Sequence, residues 1–164
     1  MLNKGWVFQQ SGEDKWYQSV VPGCIHTDLL KNGLISDPFN RSNEKNLQWI
    51  NEKNWIYRCD FIPEKRILNK KNQVIYFEGI DTYADIFLNK EKILSSNNMF
   101  HPWEAEISNL LKNGKNELEI YFRSPIDEVS EQMAQLNYQL PADNDQAGKT
   151  SPFSRKAPFH YGWD

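Results

Sequence analysis

Hydrophobic and polar residues alternate in short runs along this chain. The clearest run is NELEIYFR, residues 116–123, in which Leu118, Ile120 and Phe122 would share one face while polar residues and Tyr121 take the other. A period of two residues is typical of a β-strand with one buried face. This run therefore predicts a half-buried strand.

Other runs rich in β-branched and aromatic residues predict further strands. They span residues 55–62, 73–78 and 83–88. The last of these is expected to turn through residues 89–90 into another strand at 92–94. Pro63 would end the first run, because proline cannot donate a hydrogen bond to a neighbouring strand.

Helical periodicity is confined to two segments. In PGCIHTDLLKNG, Ile25, Leu29 and Leu30 lie at helical spacing, and Gly33 suits the left-handed conformation that often follows a helix. Apolar residues at steps of three and four predict a second helix over residues 126–140. Short strands without regular strand–helix alternation favour an antiparallel β-sandwich, mainly β, with short helices at its edges. We expect residues 1–140 to form this domain and residues 141–154 to begin a long surface loop.

Length and charge restrict the partners. A chain of 164 residues suits one domain that buries about two thirds of its unfolded surface. With 19 Lys and Arg against 22 Asp and Glu, the net charge of -3 gives no basic field for nucleic acid or an anionic membrane. The sequence has no apolar run of the length of a membrane span, and its N-terminus lacks the apolar core of a signal peptide. A cytoplasmic location is expected, unless a leader was removed from a periplasmic or secreted protein.

The sequence predicts no catalytic, metal or cofactor site within the chain. His26, His101 and His160 are far apart and form no two-histidine helical motif, so we interpret them as surface or hydrogen-bonded residues. The scattered glycines form no phosphate-binding loop. Cys24 and Cys59 lack the spacing of a zinc site, and both are interpreted as reduced, buried thiols.

Nine segments, in order, resemble the N-terminal domain of β-mannosidases of glycoside hydrolase family 2. They are GWVF, VPGCIHTDLL, ISDPF, NEKNLQWI, WIYRCDF, FEGIDTYADIFLN, NMFHPW, NELEIYFRSP and RKAPFHYGWD. Several are similar across family 2, whereas VPGCIHTDLL with DPF and NE, and above all RKA…YGWD, resemble the mannosidase branch. The resemblance spans nearly the whole chain and implies a jelly roll of the galactose-binding-like kind.

The resemblance also implies the role of the chain in a larger enzyme. Residues 141–164 would form a loop that leaves the jelly roll and reaches the mouth of a catalytic barrel. We expect the immunoglobulin-like domain and the (β/α)8 barrel, with its two catalytic glutamates, to be absent from this chain. The implied partners are that barrel and a β-mannoside, and the implied activity is retaining hydrolysis of terminal β-D-mannose from the non-reducing end.

The resemblance implies that Trp163, Asp164 and Arg155 bind the substrate. An indole face can stack on the C–H patches of a pyranose, and an adjacent carboxylate can accept hydrogen bonds from two hydroxyls. Without the resemblance, Trp163 would be interpreted as a core residue and Asp164 as a solvated terminal acid. Arg155 and Lys156 could orient the loop by pairing with Asp164 or a barrel carboxylate, or could be surface charges.

Other parts of the resemblance are interpreted as structural. Asp81 is expected to accept backbone hydrogen bonds in a turn before a strand. Residues 97–103 are expected to pack against the barrel or the loop. Relatives often carry Asn-Gly where this chain has Asn89 and Lys90, so the lysine leaves the turn type open.

Two alternatives for the function remain open. One is another family 2 specificity, β-glucuronidase or β-galactosidase. The other is a stand-alone carbohydrate-binding module, whose sign would be a solvent-facing row of aromatic side chains on one sheet face.

Overall fold

Two antiparallel sheets and a few short helices form the described part of the chain. The structure, a computed structural model, describes residues 1–142 and 148–161. The strands are β1 (Trp6–Gln10), β2 (Tyr17–Gln18), β3 (Trp55–Phe61), β4 (Val74–Phe77), β5 (Tyr83–Leu88), β6 (Glu91–Asn97), β7 (Trp103–Glu106) and β8 (Asn116–Phe122). The helices are α1 (Ile25–Lys31), α2 (Lys65–Leu68), α3 (Pro125–Ala134) and two 3₁₀ helices, Asn43–Glu52 and Pro158–Tyr161.

The larger sheet has the strand order β2-β1-β3-β8-β5-β6, and β4 pairs with β7 in the smaller sheet. All these pairs are antiparallel. The antiparallel β-sandwich with short edge helices is therefore confirmed. The strands predicted at 55–62, 73–78, 83–88 and 116–123 match β3, β4, β5 and β8 to within one residue at either end. The strand predicted at 92–94 lies within the longer β6.

Alternation along the strands builds the core. On β3, Trp55, Tyr57 and Cys59 are buried, and on β8 their neighbours Leu118 and Ile120 are buried beside them. Leu29 of α1, together with Leu47 and Ile50 of the first 3₁₀ helix, packs into the same cluster. Partly buried side chains of β4 and β7 also pack against this cluster. The period of two seen in the sequence thus corresponds to one buried sheet face.

The hairpin between β5 and β6 shows the turn type, which the sequence alone does not determine. Leu88 pairs with Glu91, so Asn89 and Lys90 form a two-residue turn. Their φ angles are 52° and 75°, which is the arrangement of a primed type I turn. Lys90 therefore occupies a left-handed position that glycine would adopt with less strain.

The helix predictions are confirmed in part. Helix α1 ends before Gly33, whose φ of 69° is left-handed as predicted. Helix α3 ends at Ala134, so its predicted extension to residue 140 is wrong. The later members of its apolar stripe, Leu136 and Leu140, instead line an open cleft of about 370 Å³ together with Phe153. None of the helices in residues 1–142 and 148–161 is long and apolar enough to cross a membrane.

Candidate functional site

Of the three residues predicted to bind substrate, Arg155 is described, whereas Trp163 and Asp164 lie outside the described residues. Arg155 is exposed. Its carbonyl oxygen accepts a hydrogen bond of 3.0 Å from the backbone nitrogen of Met99. The backbone of Arg155 also forms a parallel β-bridge with Asn98. The main chain at Arg155 is thus fixed to the loop after β6.

We refer to residues 148–161 as the C-terminal segment. Beyond Arg155, the backbone nitrogen of Ala157 donates to Met99 Sδ at 3.0 Å, and Ala157 is only 4% exposed. Asn98 is itself held, because its carbonyl oxygen accepts a hydrogen bond of 3.1 Å from Trp103 Nε1. Residues 98–99 therefore pack against this segment, in agreement with the expectation for residues 97–103.

A second contact attaches the segment to the first residue of β5. Tyr83 points to the face opposite Ala84 and Ile86, yet it is buried. Its hydroxyl donates to the carbonyl oxygen of Phe153 at 3.3 Å and lies 3.4 Å from Ser154 Oγ. The segment thus contributes to the burial of Tyr83 on this side of the sheet.

The third contact is a cluster of polar side chains around one carboxylate. Asp81 Oδ2 lies 2.5 Å from Lys156 Nζ and 3.2 Å from His160 Nδ1. The other oxygen, Asp81 Oδ1, accepts a hydrogen bond from the hydroxyl of Thr82. We refer to Asp81, Lys156 and His160 as the Asp81 cluster. It joins the turn before β5 to a part of the chain 75 residues later in sequence.

The Asp81 cluster differs from two expectations drawn from the sequence. Asp81 was expected to accept backbone hydrogen bonds, but its described contacts are with side chains, because two basic residues of the segment reach it. Lys156 pairs with Asp81, which none of the partners considered from the sequence anticipated.

Burial and a nearby ammonium lower the pKa of two histidines of this region. Burial and the adjacent Lys156 ammonium lower the pKa of His160, although Asp81 opposes this shift. Burial and Lys156 also lower the pKa of His26, on α1. The Asp81 carboxylate is paired with the Lys156 ammonium. Because that single carboxylate is already paired, the cluster is suited to orient the chain rather than to form the two-carboxylate site of a glycosidase.

A buried carboxylate, Asp28, supports α1. Asp28 is 1% exposed, and its oxygens accept hydrogen bonds from Val20 N at 3.1 Å and from the Tyr57 hydroxyl at 2.9 Å. Burial raises the pKa of Asp28, opposed by these two hydrogen bonds and by Lys31. Burial raises the pKa of Tyr57, and the charge of Asp28 raises it further. The VPGCIHTDLL motif thus contains a structural acid that ties α1 to β3.

The two cysteines differ from each other. Both are free thiols, but Cys24 is exposed, so the prediction of a buried thiol is wrong there. Cys24 lies at the N-terminal end of α1, outside the sheet core. Cys59 is buried in β3, where burial and the neighbouring Asp60 raise its pKa to about 12. Among the described residues, no group of three or more His, Cys, Asp or Glu could hold a metal ion.

The solvent side of the larger sheet is built from ion pairs. Arg58 Nη2 lies 2.6 Å from Glu119 Oε2, and the Arg58 guanidinium stacks 4.4 Å from the centre of the Trp16 ring. Arg123 Nη1 lies 2.8 Å from Asp85 Oδ1. Phe87 and Tyr121, on the same side, are half-buried. This face therefore does not resemble the exposed aromatic platform of a carbohydrate-binding module.

Comparison with known proteins relates this geometry to one family. The model of the family described as "Glycosyl hydrolase 2 galactose-binding domain-like" matches residues 6–164. "Beta-mannosidase B" of Emericella nidulans is 34% identical to this chain over 170 residues, which cover 100% of the chain and 20% of that protein. The chain spans about a fifth of the length of the curated relatives that it matches.

Two solved structures resemble this chain to different degrees. The β-D-mannosidase of Dictyoglomus thermophilum matches with a TM-score of 0.91 and 40% identity, over 99% of this chain and 20% of that chain. The β-D-glucuronidase of the same organism matches with a TM-score of 0.56 and 16% identity, over 76% of this chain and 19% of that chain. The second likeness shows the fold alone. Together these findings confirm the galactose-binding-like jelly roll.

Proposed function

Because the chain belongs to the galactose-binding-like domains of the glycosyl hydrolase 2 family, we propose that it is the N-terminal domain of a retaining β-mannosidase. The complete enzyme removes terminal β-D-mannose from the non-reducing end of β-mannosides. The observation that carries this proposal is the match of β-mannosidases to virtually the whole chain, in sequence and in structure.

In this proposal the chain positions residues and does not perform the bond cleavage. A retaining glycosidase uses two carboxyl groups about 5 to 5.5 Å apart, one as nucleophile and one as acid and base. We place both in a barrel outside this chain. The domain supports that barrel and supplies the residues that follow its C-terminal segment to the sugar subsite.

Three residues contact the substrate or its surroundings. Trp163 stacks on the sugar ring, and Asp164 accepts hydrogen bonds from its hydroxyls. Arg155 combines an anchored backbone with an exposed side chain, so its guanidinium is available to a barrel carboxylate or to the sugar. These roles fit the attachment of the preceding residues by Met99 and Asp81.

The alternatives have less support. A glucuronidase specificity is weakened because the likeness to a glucuronidase is low in identity, whereas the mannosidase likeness extends over 99% of the chain. A galactosidase specificity is left to the substrate test below. A stand-alone carbohydrate-binding module is weakened by the ion pairs on the solvent side of the larger sheet. We also propose a cytoplasmic location, which the two free thiols favour.

Specificity is tested with the complete gene product on 4-nitrophenyl β-D-mannoside, β-D-galactoside and β-D-glucuronide. We expect the highest kcat/KM with the mannoside and retention of the anomeric configuration, measured by NMR of the first product. A higher kcat/KM with the glucuronide or the galactoside would show that the proposed mannoside specificity is wrong. The 164-residue chain alone is expected to hydrolyse none of them.

Asp164→Ala tests the proposed sugar contact. The substitution removes charge-assisted hydrogen bonds, a loss of about 2 to 4 kcal/mol in transition-state binding. We expect kcat/KM for the mannoside to fall about thirty- to a thousandfold while the melting temperature is unchanged. Asp14→Ala, at an exposed acid in the loop between β1 and β2, is the matched control. Wild-type kinetics for Asp164→Ala would make Asp164 an ordinary loop residue.

A further inference from the structure

We propose that Asp81 is a positioning residue for the sugar subsite. Its carboxylate holds the C-terminal segment against the sheet and thereby sets the position from which Trp163 and Asp164 reach the substrate. This inference rests on the proposed function, since it assigns to Asp81 the placement of the residues that the function requires.

The first argument is the number of contacts that converge on Asp81. One oxygen of its carboxylate meets both Lys156 and His160, and the other accepts from Thr82. Lys156 and His160 are four residues apart, on either side of Ala157, which is buried. A carboxylate shared by two donors fixes the direction of the chain between them as well as its distance from the sheet.

The second argument is the order of the contacts along the segment. Backbone contacts that join the segment to the rest of the domain occur at Phe153, Arg155 and Ala157. The contact of Asp81 with His160 comes later, only three residues before Trp163. Among these attachments, the Asp81 cluster is therefore the one best placed to control the direction in which the chain leaves Tyr161.

The third argument concerns strength. The side chains of Lys156 and Asp81 are 24% and 31% exposed, so their pairing is screened by water less than that of a fully exposed pair. Ala157 is small and contributes limited apolar contact. If the cluster is broken, only a fraction of the molecules holds the segment correctly, and the apparent affinity for substrate falls by that fraction.

The kinetic test uses Asp81→Asn in the complete gene product. Asparagine keeps the shape of the side chain but removes its charge. We expect KM for the mannoside to rise about five- to thirtyfold, with kcat nearly unchanged because saturating substrate restores the ordered segment. Asp81→Glu, which restores the charge, should recover part of the affinity. A merely structural role would lower the amount of active enzyme, and hence the apparent kcat, without changing KM.

Lys156→Met is the second variant, because it breaks the cluster from the other side. We expect KM to rise less than in Asp81→Asn, because the contact between Asp81 and His160 remains. The double variant should show no loss beyond that of Asp81→Asn, since Lys156 acts through the Asp81 carboxylate. Asp60→Asn is the matched control, because Asp60 forms an exposed ion pair with Lys115 that involves none of the residues of the cluster. Additive losses in the double variant would contradict a shared role.

A titration tests the contact independently of activity. The groups that face one another here are Asp81, Lys156, His160 and His26. In NMR titrations of the 164-residue chain, Asp81→Asn should lower the pKa of His160, because the carboxylate that favours its charged form is lost. Lys156→Met should raise the pKa of both His160 and His26.

The outcomes separate this inference from the proposed function. If the wild-type gene product does not hydrolyse β-mannosides, the proposed function is wrong and the positioning role falls with it, while the titration still decides whether Asp81 anchors the segment. If the wild type is active and Asp81→Asn leaves KM unchanged, the positioning role alone is wrong. An unchanged His160 pKa in Asp81→Asn would show that the contact does not form in solution.

Discussion

The larger sheet and the C-terminal segment are held in place by different forces. In the sheet, Phe8, Ile86 and Leu118 are almost completely buried among other apolar side chains. The segment is attached through the Asp81 cluster and a few hydrogen bonds to Tyr83 and Met99. Apolar burial is collective and independent of charge, whereas directional contacts can be lost one at a time. The sheet thus provides most of the free energy of folding, whereas the contacts of the segment fix where this part of the chain lies.

The largest effect on stability is expected in the sheet, for Phe8→Ala. Phe8 is fully buried, and its ring lies 5.7 Å from the ring centres of both Tyr17 and Tyr57 and 6.2 Å from that of Trp55. The free energy of unfolding should fall by about 3 to 5 kcal/mol, as measured by urea denaturation. Val74→Ala on β4, where Val74 is 55% exposed, should change it by less than about 0.5 kcal/mol. Equal losses for the two variants would contradict the placement of the core.

The sequence predicted the sheet well because the signal is local. Each strand carries its own alternation, so β3, β5 and β8 could be located without knowledge of their partners. β1, β7 and the first 3₁₀ helix were not predicted, because their segments are short or mostly polar. Their few apolar residues show no clear periodicity, and only the tertiary structure reveals that they cover the core. The end of α3 was misplaced because Leu136 and Leu140 continue the apolar stripe after the helix has ended.

An intermediate effect is expected for Asp28, which joins α1 to β3 through Tyr57. Asp28→Ala leaves the backbone N–H of Val20 and the hydroxyl of Tyr57 without their acceptor. The free energy of unfolding should fall by about 2 to 3 kcal/mol. Asp28→Asn, which keeps one oxygen acceptor, should cost less. If Asp28→Ala were as stable as Asp28→Asn, the two hydrogen bonds would contribute little.

The pH dependence of the Asp28 contribution has a definite sign. Burial raises the folded-state pKa of Asp28 above its ordinary value of 3.8, so the folded protein holds the proton more tightly than the unfolded one. The resulting stabilisation is complete below pH 3.8 and is lost as the pH rises through the folded-state pKa. The advantage in free energy of unfolding of the wild type over Asp28→Asn should therefore be largest in acid and should shrink as the pH rises above 3.8. Urea denaturation at a series of pH values measures this advantage.

The smallest effect on global stability is expected for Asp81→Asn. The segment can detach locally while the sheet stays folded, so the free energy of unfolding should change by less than about 1 kcal/mol. Local detachment should instead appear as faster cleavage by trypsin after Arg155 and Lys156. Asp60→Asn should leave this cleavage rate unchanged. An unaltered rate in Asp81→Asn would indicate that the hydrogen bonds to Met99 and Tyr83 are sufficient to hold the segment.

The candidate site was less predictable than the sheet. Both halves of the Asp81 cluster lie in segments that carry the family resemblance, FEGIDTYADIFLN and RKAPFHYGWD. Their meeting depends on the fold, because 75 positions separate Asp81 from Lys156. Nothing local in either segment marks Asp81 as the partner of Lys156 rather than as a turn residue. The predicted roles of Trp163 and Asp164 remain predictions.

The two cysteines give this chain its own chemical reporters of opening. Cys59 is 2% exposed in β3, which is flanked by β1 and β8, and its raised pKa suppresses the reactive thiolate. Cys24 is exposed in the native state. An alkylating reagent should therefore modify Cys24 immediately and Cys59 only in molecules whose central strands have separated. The delay between the two modifications measures how often the middle of the sheet opens, and no cysteine has to be introduced by mutation.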